Sequence, residues 1–222
     1  MTTPGCRPVA RAGARAGFTF VEILVVMAII AVLVGLGLAV YKLAIEQTPK
    51  TKASALLGKV RASVDLWRAK YRFSPPSEFQ KLSTVVPTLK LGRPTPANSD
   101  NAGIEALVQA LFIPGFGHNP DFDADLCNTD DDRLDKAFAS TGDAALHEIK
   151  DPWGNPLVYF TDADYAAADK NPPTYLRGDG SSFAPKPWRN EAGAFAQANG
   201  YQLFSIGPDG EPNTDDDFKA WE

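Results

Sequence analysis

Two clusters of carboxylates and one isolated glutamate are the residues with chemistry to offer. Near the C-terminus, Asp209, Asp215, Asp216 and Asp217 crowd four carboxylates into nine residues. Hard oxygen ligands at that density suit Ca²⁺, which takes about six to eight carboxylate and carbonyl oxygens. Without a cation the same charges repel one another. Gly207 and Gly210 permit the sharp turns that aim carbonyls inward. The alternative is a solvated acidic tail, the usual meaning of a charge run. The flanking Phe218 and Trp221 favour an ordered loop packed against something.

The second cluster is Asp121, Asp123 and Asp125, followed by Asp130, Asp131 and Asp132. Asp121, Asp123, Asp125 and Asp132 fall on positions 1, 3, 5 and 12 of an EF-hand loop. Leu126 stands where that loop needs glycine, Asp132 stands where it needs a bidentate glutamate, and no clear helix precedes it. The expectation is a hydrated surface loop. His118 and His147 have no serine or cysteine partner in a recognisable motif, and no phosphate-cradling Gly-Lys-Ser/Thr motif is present. The chain is therefore expected not to be an enzyme.

The isolated acid is Glu22. It stands just before residues 23–41, a run of 19 without a charge. At about 1.5 Å per residue such a helix nearly matches a hydrocarbon core of about 30 Å. A carboxylate at that depth is costly unless paired. Before it, residues 1–17 carry Arg7, Arg11 and Arg15 and no acid. A basic segment ahead of an apolar run stays cytoplasmic, which puts the body of the chain across the inner membrane. A cleaved secretory signal is opposed by the length of the run and by the lack of a small-residue cleavage site after it.

A basic leader, Gly17, Phe18, Glu22 at the fifth position counted from Phe18, and then the apolar run: this order and spacing resemble the type IV prepilin and pseudopilin signature. The resemblance implies cleavage between Gly17 and Phe18 by a prepilin peptidase, then N-methylation of Phe18. Glu22 of one subunit would meet the new Phe18 amine of its neighbour, neutralising both charges and setting axial register.

Beyond the run the helical pattern continues, with Leu56, Leu57, Val60, Val64 and Trp67 at intervals of three and four. Pro49 is expected to kink or locally melt it. Ser74-Pro75-Pro76 ends it. Residues 85–101 read as a Pro-rich loop, 104–112 as a short helix, 121–135 as acidic loop and 134–149 as holding a helical turn. Residues 151–160, DPWGNPLVYF, read as a turn feeding a strand. Residues 162–199 read as an irregular insertion and 200–207 as a second strand.

DPWGNPLVYF, then YQLFSIGPDG and an Asp-rich loop, resembles the major pseudopilins of type II secretion systems. The resemblance covers residues 18–70 and the two C-terminal strands with their loop. It implies an α+β, type IV pilin-like fold: a long N-terminal helix, half membrane-spanning and half amphipathic, packed on a small antiparallel sheet with a C-terminal calcium loop. Residues 1–17 would be the leader, 18–41 the membrane and filament-core helix, and 42–222 the periplasmic domain. Asp209 and Asp216 would be the side-chain ligands of calcium. Backbone oxygens of Ile206, Glu211 and Asp217 would complete the shell, with Asp215 as the alternative if the register slips. The partners implied are further copies of the chain in a helical filament, minor pseudopilins, the prepilin peptidase, an inner-membrane assembly platform with its ATPase, and membrane lipid. A type IV pilin or a tip pseudopilin is the nearest alternative. A membrane-anchored periplasmic enzyme or binding module is the alternative of another kind.

Composition fits this division. Of 222 residues 44% are hydrophobic and 22% charged, an ordinary folded mixture. The formal charge of −5 disfavours nucleic acid as a partner. Loss of the leader's three arginines takes it to −8. Cys6 leaves with the leader, so Cys127 has no intramolecular disulfide partner.

Overall fold

A computed structural model of the chain describes residues 19–85, 94–95, 98–113, 116, 123–134 and 144–222; within these, the side chains of 36–40, 42–44, 83, 94–95 and 123 are not described. The chain is α+β and divides into two compact units, Met1–Glu46 and Gln47–Glu222. Helix α1, Phe20–Tyr71, is continuous through Pro49, so the expected local melting does not occur.

In the first unit the described part of α1 is apolar on every side. Phe20 is 81% exposed, and Val21, Met27, Val32 and Leu33 are all more than half exposed. Among the described residues no helix is long and apolar enough to cross a membrane. The 19-residue run extends into positions 36–40, whose side chains are not described.

In the second unit α1 is amphipathic as its spacing requires. Ala53, Leu56, Leu57, Val60, Val64 and Trp67 are buried. Trp67 packs its ring 4.2 Å from Tyr71 and 5.4 Å from Phe116. Arg72 closes the helix in the left-handed region at φ 69°, its amide donating to the Arg68 carbonyl. The prolines that follow are tied down by the Tyr159 hydroxyl, which donates to the Pro75 carbonyl at 2.6 Å.

Helix α2 is Phe79–Val85 and α3 is Ala102–Leu111, close to the expected short helix. From Ile104 onward every residue of α3 is buried. A helix enclosed on all sides must bring its polar residues inside with it; here those are Glu105 and Gln109.

The main sheet is antiparallel, with strand β8 (Tyr201–Ser205) between β5 (Val158–Thr161) and β9 (Phe218–Lys219). Val158 faces Phe204 across one ladder, and Phe204 faces Lys219 across the other. Strands β5 and β8 are buried at every residue, which is why the sequence shows no strict apolar–polar alternation along either. Tyr201 of β8 meets α1, with Arg68 over its ring and its hydroxyl reaching Asp65. Gln202 and Phe204 of β8 meet the insertion: Gln202 donates to the carbonyls of Trp188 and Ala196 and accepts from the Trp188 amide.

The insertion is more regular than its sequence suggests. It holds helix α4 (Tyr165–Lys170) and a hairpin of β6 (Tyr175–Leu176) with β7 (Ser182–Phe183). Most of the span 134–149, where a helical turn is expected, lies outside the described residues, namely 135–143, and the described residues of it hold no helical turn. Instead β3 (Arg133–Leu134) pairs with β1 (Pro94–Thr95), and β4 (Glu148–Ile149) pairs with β2 (Leu126–Cys127), after a 3-10 turn at Asp123–Asp125. Two-residue ladders carry no readable period, which is why the sequence pattern misses them.

Candidate functional site

At the N-terminus, Gly17 and Phe18 lie outside the described residues. Glu22 is described and is not solitary. The Thr19 amide donates to Glu22 Oε2 at 2.7 Å, the Thr19 hydroxyl donates to the same oxygen at 3.0 Å, and the Glu22 amide donates back to Thr19 Oγ1 at 3.3 Å. This is a capping box, in which threonine and glutamate three residues apart satisfy the first free amides of a helix. The Thr-x-x-Glu spacing was present in the sequence.

The C-terminal loop turns between β8 and β9. Gly207 and Gly210 both adopt positive φ, 69° and 71°. A Cβ at Gly207 would stand 2.5 Å from the Asp216 carbonyl oxygen, so only glycine fits there. Inside the loop four oxygens surround one hydroxyl. Thr214 Oγ1 lies 3.2 Å from Asp209 Oδ2, 3.2 Å from the Glu211 carbonyl, 2.6 Å from Asp216 Oδ1 and 3.4 Å from Asp217 Oδ1. A hydroxyl has one proton to give, so three of these contacts are oxygen against oxygen. Asp209 Oδ1 also accepts from the Glu211 amide, and Asp216 Oδ2 from the Asp209 amide. Asp217 is buried, accepts from the Asn213 amide, and has its carboxyl pushed up to about 7 by burial. Asp215 is exposed, and Ile206 is fully buried. The loop thus brings Asp209, Glu211, Asp216 and Asp217 together around Thr214 and leaves Asp215 facing outward. The donor set, carboxylates and a carbonyl without sulfur or imidazole, fits calcium.

Two distant segments hold this loop. Asp151, in the turn before β5, accepts from the Ser205 hydroxyl at 2.6 Å and from the amides of Trp153 and Asn155. Asn155 reaches the Gly207 carbonyl, and Trp153 stacks on Phe218 at 5.5 Å. From the insertion, Arg177 donates to Asn155 Oδ1 and to the Gly210 carbonyl. The Lys186 amide donates to Asn213 Oδ1, and Asn213 Nδ2 donates back to the Lys186 carbonyl.

The second acidic cluster does not form the expected hydrated loop. Asp121 lies outside the described residues. Asp132 is 1% exposed and Asp130 is half-buried. They enter the interior beside Glu105 of α3 and Glu148 of β4, 2% and 0% exposed. Carboxylate oxygens of Glu105, Asp130 and Glu148 all lie within 4.8 Å of one another, the one such group among the described residues. Burial first, and then Asp132, Glu148 and Asp130, push the Glu105 carboxyl up to about 10. Burial, Asp130 and Glu148 push Asp132 up to about 8. Glu105 and Glu148 were not singled out in the sequence. Cys127 donates weakly to Glu148, and burial pushes its thiol up to about 12, so it is not a nucleophile at neutral pH.

The prokaryotic N-terminal methylation motif matches residues 13–38. No curated protein and no solved structure matches the chain. The motif is a type IV pilin-like leader and covers the described start of α1; it is shared by pilins and pseudopilins alike. The α+β fold, an N-terminal helix with small antiparallel sheets, is consistent with a pilin-like protein.

Proposed function

We propose that the chain is a structural subunit of a type II secretion pseudopilus, a helical filament whose growth promotes export of folded proteins across the outer membrane. The observation that carries this reading is the sequence Gly17-Phe18-Thr19-Phe20-Val21-Glu22 at the head of an apolar helix whose described side chains have no partner within the unit. Such a surface needs either lipid or other copies of itself. In the precursor it would lie in the inner membrane, N-terminus inside and the second unit periplasmic. After a prepilin peptidase cuts at Gly17, Phe18 would carry a methylated amine. That amine is the charge that Glu22 of a neighbouring copy would meet in the filament core.

In this reading the C-terminal loop binds calcium through Asp209 and Asp216, with the Glu211 carbonyl and Asp217 close by. The oxygen crowding around Thr214 supports it. Ile206 would add a backbone oxygen, and Asp215 is the weaker choice because it takes no part in the contacts around Thr214. The cation would supply charge neutralisation and a fixed outer surface for packing against neighbours. No chemistry is asked of the subunit itself. Minor pseudopilins would cap the filament, and an assembly ATPase with a membrane platform would supply the work. A type IV pilin or tip pseudopilin is the second reading, since the same leader serves all three; a single mature cysteine disfavours the disulfide-stapled pilins.

Mass spectrometry of the mature chain tests the reading. It should begin at a methylated Phe18; an intact Met1, or a cut after the apolar run, would sink it.

A further inference from the structure

The geometry points to a second divalent-cation site, separate from the C-terminal loop, formed by Glu105, Asp130, Asp132 and Glu148. It is independent of the proposed function.

Four acids meet here from three elements: α3, the segment between β2 and β3, and β4. Three of them place oxygens within 4.8 Å of one another. Burying even one ionised carboxylate without a partner is strongly unfavourable. Among the described residues no Lys or Arg forms an ion pair with any of the four.

Hydrogen bonding within the protein engages only part of the cluster: Asn98 Nδ2 donates to Asp130 Oδ2 at 3.3 Å. Glu148 is well held: Oε1 accepts from Asn101 Nδ2 at 2.9 Å and from Thr129 Oγ1 at 3.0 Å, and Oε2 accepts from the Thr129 amide at 3.1 Å. Glu105 Oε1, Asp130 Oδ1 and Asp132 Oδ1 are buried and have no partner. A second observation does not depend on charge. Gln109, one turn beyond Glu105 on the same face of α3, is fully buried, and neither its amide oxygen nor its amide nitrogen has a partner. An interior that leaves these atoms unsatisfied is arranged around something not made of protein.

The donors identify the class. All are hard oxygens, supplied by a helix, a loop and a strand rather than a single rigid frame, which suits Ca²⁺ better than the strict octahedron of Mg²⁺. Asn101 and Thr129 orient Glu148 as outer groups orient a ligand in metal sites. Asn101 holds a left-handed conformation, φ 55°, directly before α3, and its side chain also pairs with Leu176.

Calcium titration of the full chain in mild detergent, after chelator treatment, tests the site. An Asp209→Ala/Asp216→Ala background removes the C-terminal loop, so failure there is read separately from failure here. In that background one Ca²⁺ should still bind per chain at neutral pH. Adding Glu105→Gln should weaken binding at least ten-fold. In chelator the same substitution should leave the melting temperature equal or higher, because it removes one of several repelling charges. In excess calcium the order should reverse. If Glu105→Gln does not fold, Asp130→Asn at the half-exposed position replaces it with the same readout. Absence of binding in that background, binding that these substitutions leave unchanged, or preferential uptake of Zn²⁺ would overturn the proposal.

Discussion

Thr19 and Glu22 hold each other at the start of α1, the threonine amide on the glutamate carboxylate at 2.7 Å and the glutamate amide on the threonine hydroxyl at 3.3 Å. Glu22 therefore has work within a single chain, apart from any role in assembly. The two roles separate by mutation. Thr19→Ala removes the reciprocal cap but keeps the charge, so it should lower helicity of the first turn, seen by circular dichroism in detergent, and still permit filaments. Glu22→Ala and Glu22→Gln should both prevent filament formation, scored by electron microscopy, while membrane insertion persists. Normal filaments from Glu22→Gln would limit the residue to capping.

The C-terminal loop should be ordered by calcium. Limited proteolysis of the full chain should cut within residues 207–217 in chelator and spare them in calcium. Asp209→Ala should make the loop cleavable in both conditions. Equal resistance with and without the cation would remove calcium from the loop.

Gly207→Ala should be severe for one methyl group. The position needs φ 69°, and the added carbon would meet the Asp216 carbonyl at 2.5 Å. The expected loss is about 2–3 kcal/mol in chemical unfolding, since strain and a backbone clash act together. Gly178→Ala, in a position where a Cβ meets nothing within 4 Å, is the neutral control.

Asp151 is 3% exposed and accepts three hydrogen bonds. Asp151→Ala strands the Ser205 hydroxyl and two amides, which should cost about 2–4 kcal/mol. Burial raises the Asp151 carboxyl above its ordinary value of 3.8, against the pull of the bonds from Ser205 and Asn155. A carboxyl raised on folding favours the native state in its neutral form. Its contribution is present below about pH 3.8 and is lost as pH climbs through the folded value. Asp151→Asn should keep the amide bonds, cost less than alanine, and flatten that part of the stability profile against pH.

What the sequence announced, it announced through period and punctuation. The Leu56-to-Trp67 stripe, the apolar strands Val158–Thr161 and Tyr201–Ser205, and the glycines flanking the acidic loop could all be read locally, because one face or one turn dictates residue type. At Pro49 the helix does not melt: a single missing amide does not interrupt a helix supported by burial on its following turns. Glu105 was invisible. On paper it is an ordinary polar residue in the first turn of a helix, and only the packing of residues 126–134 and 148–149 around α3 turns it into a buried acid. EF-hand spacing sets Asp132 beside Asp121, which lies outside the described residues, and gives no hint that the fold sets it beside Asp130, Glu148 and Glu105. Contacts made across long stretches of chain leave no local pattern to find.

The clasp between Asn213 and Lys186, with Arg177 on Gly210, has a bearing on the order in which the chain takes shape. These partners are 27 and 33 residues apart, and strand β8 must also find β5 across the whole insertion. Contacts of that span form slowly. The acidic loop is thus a latch that closes only where the insertion is in place to receive it, and a chain cut between Gly207 and Phe218 would lose its hold on Arg177 and on the Lys186 backbone.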